Sequence, residues 1–174
     1  LWITALQSPW RGLRLVGCNK ALVKCWNILT EAGVSPAGER AWNIQRIELG
    51  HPLSGNELNE EHNPWEAGLN QSIHMNKGCY IGQEVIARLD TYDKIKQHLV
   101  GIACETDSLP EAGTVLLAEE KAVGSVTSSA YSPSFGPIAL AYVRRGFSVP
   151  DTVLTRADNS HQCRVQSLPF QAAC

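Results

Sequence analysis

Hydrophobic positions change their period along the chain, from helical spacing in the first part to strand alternation in the second. A helical spacing of i, i+3, i+4 and i+7 is followed by Leu22, Cys25, Trp26 and Leu29. Asn19 is a suitable N-cap residue and Gly33 a suitable residue at the C-terminal end, so the pattern predicts a helix between them. We expect this helix to bury Trp26 and Cys25 in a core.

A second helix is predicted from Ser35-Pro36 to Leu49, because a capping residue followed by proline favours a helix start. Ala41, Ile44 and Ile47 then share one side of this helix, and the segment 50–52 ends it. Before the first helix, alternation in Leu13–Val16 indicates a short strand. Residues 1–12 show no period and are expected to be irregular.

The chain after residue 84 is dominated by short apolar segments separated by turn residues. The predicted strands are 85–89, 99–104, 114–118, 122–128, 137–143, 152–157 and 162–168. Turns are predicted at 90–93, 119–120 and 158–160, and the segment 53–76 is rich in loop residues. Regular short strands of this kind predict a small antiparallel barrel or sandwich, and the chain as a whole is α+β.

Composition narrows the class of protein. The 174 residues are 44% hydrophobic with a net charge of −2, which permits a real core and offers no electrostatic attraction for nucleic acid or an anionic membrane. No apolar run approaches the roughly 20 residues needed to span a bilayer. We therefore expect an intracellular protein. The chain begins at Leu1 and holds one methionine, Met75, so we expect it to be a fragment.

Cysteine and histidine spacing gives no support for a metal site. The six cysteines include no Cys-x-x-Cys, and His51, His62 and His74 share no helical or strand spacing. No metal is expected, and the cysteines are predicted to be reduced thiols. His74 lies near Cys79 in the sequence, and the alternative of a Cys–His nucleophilic pair has no hydrolase motif around it.

The stretch Lys77-Gly78-Cys79-Tyr80-Ile81-Gly82-Gln83-Glu84 is the strongest functional signal, and we call it the octapeptide. Glycines permit positive φ and close backbone approach, so the octapeptide is expected to form a tight loop facing a ligand. Lys77 would stabilise the Cys79 thiolate if the loop brings the two together. The alternative is that Cys79 is an inert core thiol, which is the commoner fate of a lone cysteine.

The octapeptide resembles the signature of the folate-binding YgfZ family, relatives of the glycine-cleavage aminomethyltransferase that serve iron–sulfur proteins. The likeness extends from about residue 13 to 170 and includes the barrel segments 124–128 and 137–143. It implies an incomplete folate-binding domain over residues 1–84 and a C-terminal β-barrel over residues 85–174. The rest of the folate-binding domain, with the acid/base aspartate of the transferases, would lie in a preceding N-terminal half.

The resemblance also implies site residues. Within Arg46-Ile47-Glu48-Leu49-Gly50-His51-Pro52, Glu48 matches the glutamate that binds the pteridine ring of tetrahydrofolate in the transferases. A carboxylate suits that role because it accepts two adjacent N–H groups. Without the resemblance, Arg46 and Glu48 would be a surface charge pair. The implied folate contacts are Glu48, Arg46, Lys77, Gly78, Tyr80, Gly82, Gln83, Glu84 and Arg88.

Three functions remain open at this point. The first is an accessory protein for iron–sulfur cluster assembly or repair that binds tetrahydrofolate or a one-carbon-substituted folate. Its reactive group would be Cys79, and its partners would be iron–sulfur proteins or assembly factors. The second is a folate-dependent aminomethyl or one-carbon transferase, and the third is a noncatalytic interaction domain. The implied location is the bacterial cytoplasm, or a mitochondrion or plastid in a eukaryote. Cys79 favours the first function, because the resemblance gives the transferases no thiol in the matching loop.

Overall fold

The computed structural model describes residues 1–6, 12–75, 77–91 and 95–171. The chain divides into two compact units, Leu1–Trp42 and Asn43–Cys174. No described helix is long and apolar enough to cross a membrane.

The first unit contains a two-stranded antiparallel sheet and a helix. Strands β1 (Trp2–Leu6) and β2 (Gly12–Val16) pair with each other, and α1 spans Asn19–Glu31. The expectation that residues 1–12 are irregular is therefore wrong for β1 and Gly12, while residues 7–11 lie outside the described part. The strand at Leu13–Val16 is confirmed.

Helix α1 has the predicted length but not the predicted environment. Its N-cap is Cys18, which makes no side-chain capping bond, so the assignment of Asn19 as N-cap is wrong by one residue. Gly33 follows the helix with φ +87°, as expected for a C-terminal glycine. None of its residues is buried, and Trp26 is 55% exposed, so the predicted burial of Trp26 is wrong. The helical spacing of hydrophobic residues identifies an apolar face of α1, but it does not show whether that face is buried.

Helix α2 spans Glu39–Glu48, so the predicted start at Ser35-Pro36 is four residues early. Its predicted end is confirmed. Gly50 adopts φ +70°, and a Cβ at this position would collide with the side chain of Leu168. Both constraints favour glycine at this position, two residues after the last residue of α2.

A third helix, α3 (Gln83–Thr91), replaces the strand predicted at 85–89 and the turn predicted to begin at Asp90. Val85 and Ile86 fit either period in so short an apolar run, and periodicity alone does not separate the two structures. Gly82 with φ +86° precedes the helix, and its carbonyl accepts the amides of Val85 and Ile86. The prediction for residues 92–93 lies outside the described part.

The second unit is organised around a closed antiparallel barrel with the strand order β3-β6-β5-β4-β7-β8. The strands are β3 (Gln97–Cys104), β4 (Val115–Ala118), β5 (Lys121–Ser132), β6 (Gly136–Arg144), β7 (Val153–Arg156) and β8 (Gln162–Gln166). Six predicted strands and the predicted barrel are thereby confirmed. The domain boundary that we predict between residues 84 and 85 falls inside α3 and stays a prediction.

Residues 137–143 of strand β6 are apolar at every position because both faces of the strand are buried. Ala139, Ala141 and Val143 belong to the cluster that fills the barrel, together with residues such as Ile102 and Leu116. Ile138 and Leu140 point the other way, into a second cluster that includes Ile47 of α2. A strand buried on both faces loses the polar alternation of a half-buried strand. The part of α2 that contains Ile47 is therefore packed on the outer surface of the barrel.

Candidate functional site

The end of α2 places Glu48 against the turn between β5 and β6. Oε1 of Glu48 accepts a hydrogen bond of 2.5 Å from Oγ of Ser132, the last residue of β5. The backbone carbonyl of Glu48 accepts the amide of Phe170 at 2.8 Å. Glu48 as a residue is half-buried; the barrel holds its carboxylate, and the C-terminal segment holds its backbone.

Arg46 is buried more deeply than Glu48. Its side chain is 1% exposed and donates from Nε to Asn43, from Nη1 to Glu57 and from Nη2 to Ser128, at 2.9, 2.9 and 2.6 Å. The interpretation of Arg46 as a surface partner of Glu48 is wrong. Its role as a folate contact is also not supported, because its guanidinium is committed to buried protein groups.

Glu57 is the centre of the buried network around Arg46. Its Oε2 accepts Nη1 of Arg46 and the amide of Leu53, and its Oε1 accepts the hydroxyls of Thr127 and Ser128, all between 2.6 and 2.9 Å. Burial lowers the pKa of Arg46, and the charge of Glu57 opposes that shift. Among the described residues no buried side-chain polar atom lacks a partner. The network ties α2, the loop after it and strand β5 together.

Sequence reasoning missed Glu57, Ser128 and Ser132. Glu57 stands in an acidic loop and looks solvated, and its two hydroxyl partners, Thr127 and Ser128, lie 70 and 71 residues away in the sequence. The available signal is a run of three consecutive hydroxyl residues, Thr127-Ser128-Ser129, in a strand whose neighbouring apolar residues Val123, Val126 and Ala130 are buried. Hydroxyls in a buried strand need acceptors, and that need points to a buried polar network.

The octapeptide is a loop that leads into α3. Lys77, Gly78 and Cys79 are exposed and Tyr80 is half-buried. The Lys77 ammonium lies 4.5 Å from the centre of the Tyr80 ring, a cation–π geometry. The expected loop is confirmed over residues 77–82, and the alternative of a buried core thiol at Cys79 is wrong. Gln83 and Glu84, expected in the loop, form the first turn of α3.

The octapeptide is held to the rest of the unit through α3. Nε1 of Trp65 donates to the carbonyl of Ile86 at 3.2 Å, so the loop that contains Trp65 is bonded to α3. The neighbouring Glu66 carbonyl accepts the amide of Leu99 in β3 at 2.8 Å. Arg88 is exposed on α3. Within the described residues, no hydrogen bond or ion pair joins Glu48 or Arg46 to the octapeptide or to Arg88.

A separate polar cavity of about 270 Å³ lies between the loop after α2 and strand β5. Asn56, Asn59 and Glu61 line one side, and Ser125 and Thr127 line the other. Glu48 and the octapeptide are not part of its wall. The cavity therefore belongs to the surface above the Arg46–Glu57 network rather than to the predicted site.

Two families match consecutive parts of the chain. Residues 15–77 match the GCVT N-terminal domain, and residues 97–171 match the glycine cleavage T-protein C-terminal barrel domain. The chain belongs to the glycine cleavage T-protein superfamily. Its closed barrel is the C-terminal domain of that superfamily, and the part before it belongs to the N-terminal domain.

Individual relatives agree with the family assignment. A protein of Arabidopsis thaliana, named provisionally as a chloroplastic transferase, is 41% identical over 79% of this chain and 32% of its own length. An aminomethyltransferase of Koribacter versatilis is 35% identical over 85% of the chain and 40% of its own length. The crystal structure of the glycine cleavage system aminomethyltransferase T from Bartonella henselae superposes with a TM-score of 0.75 at 29% identity.

The Bartonella comparison covers 91% of this chain and 45% of that protein. The chain thus spans less than half the length of the three proteins named here. The matches show its superfamily and fold. The activity, substrates and partners of the whole protein are proposed in the next subsection.

Proposed function

We propose that this protein binds a tetrahydrofolate through Glu48 and takes part in transfer of an aminomethyl or other one-carbon group. Support comes from the superfamily and from the relatives that are named aminomethyltransferases. The observation that carries the proposal is the carboxylate of the half-buried residue Glu48, which is held in place by the hydroxyl of Ser132.

The chemistry of Glu48 fits a folate. A carboxylate has two oxygens with about four acceptor positions, so the bond from Ser132 leaves capacity for further donors. The pteridine edge offers two adjacent N–H donors, and charge-assisted hydrogen bonds to such a pair are strong and directional. The exposed cations Lys77 and Arg88 are proposed to attract the carboxylates of the folate tail. The remaining octapeptide residues are proposed to line the same site.

Replacement of Glu48 by glutamine tests the proposal. Glutamine retains one oxygen for Ser132 and presents an N–H₂ group in place of the other oxygen. Loss of a hydrogen bond to a charged group costs about 1.5–3 kcal/mol, which corresponds to about a tenfold or larger loss of affinity. Calorimetry with 5-formyltetrahydrofolate on the full-length protein measures this loss.

Glu39→Gln is the matched control, because Glu39 is an exposed glutamate in the first turn of the same helix. We expect it to bind the folate with unchanged affinity. Equal affinity of wild type and Glu48→Gln would remove Glu48 from the site.

A second candidate function is supported by Cys79. Its thiol is exposed in a loop that resembles the YgfZ signature, and such a thiol is accessible to a partner protein or to transient ligation of iron. In this candidate the protein binds folate as an effector and supports iron–sulfur enzymes in the bacterial cytoplasm, a mitochondrion or a plastid. One thiolate does not provide the usual four ligands of a cluster, so stable cluster carriage would need further ligands from a partner.

Replacement of Cys79 by serine separates the two candidates. If the accessory function holds, the variant loses support of iron–sulfur enzymes in cells while its melting curve matches that of the wild type. If transfer chemistry through Glu48 is the whole function, cells with Cys79→Ser show the same iron–sulfur enzyme activity as cells with the wild type, and the variant keeps its folate affinity. Cys18→Ser controls for loss of an exposed thiol elsewhere in the chain.

A further inference from the structure

The hydrogen bonds of Ser132 fix the direction in which its hydroxyl group donates. Its side chain is 0% exposed, and its Oγ accepts the amides of Ser134 and Phe135 at 3.0 Å each. A serine hydroxyl has two acceptor positions and one hydrogen. Because both acceptor positions are taken by backbone amides, the single hydrogen is directed to Oε1 of Glu48.

Because Ser132 can only donate to Glu48, Oε1 of Glu48 is held as a hydrogen-bond acceptor. Oε1 receives the Ser132 hydrogen, and rotation of the carboxylate away from Ser132 would leave a buried donor without a partner, which is costly. Phe170 fixes the backbone of Glu48 from the other side, and its ring packs 5.7 Å from that of Phe135 in the same turn. Ser132 at the turn between β5 and β6 thus holds the carboxylate of Glu48, and the C-terminal segment holds its backbone.

We propose that Ser132 is a positioning residue for the folate site: it locks the Glu48 carboxylate in one orientation and so selects ligands that present N–H donors. This inference rests on the proposed role of Glu48. Ser132 acts through Glu48 and does not itself contact the ligand. Its contribution is preorganisation, because a carboxylate already held in its binding orientation loses less freedom when the ligand arrives.

The test measures affinity for 5-formyltetrahydrofolate in the full-length protein by calorimetry, with a melting curve for each variant. We expect Ser132→Ala to bind about tenfold more weakly and Ser132→Thr, which retains a hydroxyl, to recover most of that loss. Ser129→Ala is the matched control, because Ser129 lies on the same strand and donates a comparable bond of 2.7 Å to the carbonyl of Pro110. It should bind normally.

A double variant separates positioning from a purely structural role. If Ser132 acts through Glu48, then Ser132→Ala should cause no further loss of affinity in a Glu48→Ala background. An equal loss in both backgrounds, or no loss in the wild-type background, would overturn the positioning role. Should the alanine variant fail to fold, Ser132→Cys keeps nearly the same volume with a weaker donor and is expected to lose affinity in the same direction.

Failure of this inference is distinguishable from failure of the proposed function. If Glu48→Ala binds the folate as tightly as the wild type, then Glu48 is not the contact and the proposed function falls with it. If Glu48→Ala binds weakly while Ser132→Ala binds normally, the contact stands and only the role of Ser132 is overturned.

Discussion

Arg46 and Glu57 form an ion pair of 2.9 Å between Nη1 and Oε2 in which the two side chains are 1% and 0% exposed. The pair is surrounded by hydroxyl donors and acceptors from Thr127 and Ser128. Two charges taken out of water are tolerated only when such partners replace the lost hydration. The pair therefore fixes the end of α2 to the barrel, close to the residue proposed to bind folate.

Removal of one partner should destabilise the second unit strongly. Arg46→Met keeps most of the side-chain volume but leaves the Glu57 carboxylate buried without a cation, and such changes cost about 3–5 kcal/mol. Chemical denaturation measures the change in the free energy of unfolding. Arg40→Met, an exposed position on α2, should change it by less than about 0.5 kcal/mol.

Replacing both partners should cost less than the sum of the two single changes. In an Arg46→Met, Glu57→Met double variant no uncompensated charge remains, so the two effects should be far from additive. Strict additivity would show that the pair is not energetically coupled.

The barrel strands are accessible to sequence reasoning because their apolar residues alternate or form short runs, and residues with a turn preference separate them. Glu119 and Glu120 illustrate the point, since both adopt positive φ in the tight connection between β4 and β5, where a turn was predicted. The octapeptide loop was also accessible, because two glycines around a cysteine are unusual in a core strand. These signals are local and need no knowledge of tertiary contacts.

Tertiary relationships were not accessible in the same way. Arg46 and Ser128 are 82 residues apart, and Glu48 and Ser132 are 84 apart. Nothing in the local pattern distinguishes a buried arginine from a solvated one on the same helix. The assignment of 85–89 as a strand failed for a different reason, because five apolar-rich residues satisfy both periods.

Gly124 should be intolerant of any side chain. A Cβ at this position would meet the backbone carbonyl oxygen of Tyr142 on the paired strand, which has no freedom to move away. We expect Gly124→Ala to destabilise the barrel by about 1–3 kcal/mol through overpacking. The melting temperature measures the effect. Gly78→Ala is the control, because the space around Gly78 is open; similar melting of the two variants would contradict the prediction.

The barrel should lose stability in alkaline solution because of Cys163. Burial raises the pKa of its thiol to about 12, and the neighbouring Cys104 contributes in the same direction. An unfolded thiol titrates near about 8.5, so between that pH and about 12 the folded state holds more protons. The free energy of unfolding therefore falls as pH rises through this window, by up to about 1.4 kcal/mol per pH unit.

Cys163→Ser should flatten this alkaline dependence, since serine does not titrate there and can donate to the Leu154 carbonyl as the thiol does. Burial also raises the pKa of Tyr142, so some decline above about pH 10 should remain in the variant. Denaturation series at several pH values measure the slope. Cys79→Ser, which removes an exposed thiol, should leave the slope unchanged; an unchanged slope in Cys163→Ser would refute the assignment.

The order in which the thiols react with an alkylating agent should follow their exposure. Cys18 and Cys79 are exposed, Cys25 and Cys104 are partly covered, and Cys163 is buried. Burial also raises the pKa of Cys104, which lowers its thiolate fraction at neutral pH. We expect Cys79 and Cys18 to be modified first and Cys163 last, as measured by mass spectrometry of the native protein after short exposure to iodoacetamide. Cys174 lies outside the described residues.

The comparison between Cys79 and Cys18 carries the information about function. Both are exposed, so exposure alone predicts similar rates, whereas an octapeptide loop that activates its thiol predicts a clearly faster reaction at Cys79. Repeating the reaction in denaturant removes the effect of structure and gives the intrinsic rate of each site. A native-state ratio near the denatured ratio would leave Cys79 as an ordinary surface thiol, and the transfer function centred on Glu48 would then account for the site without it.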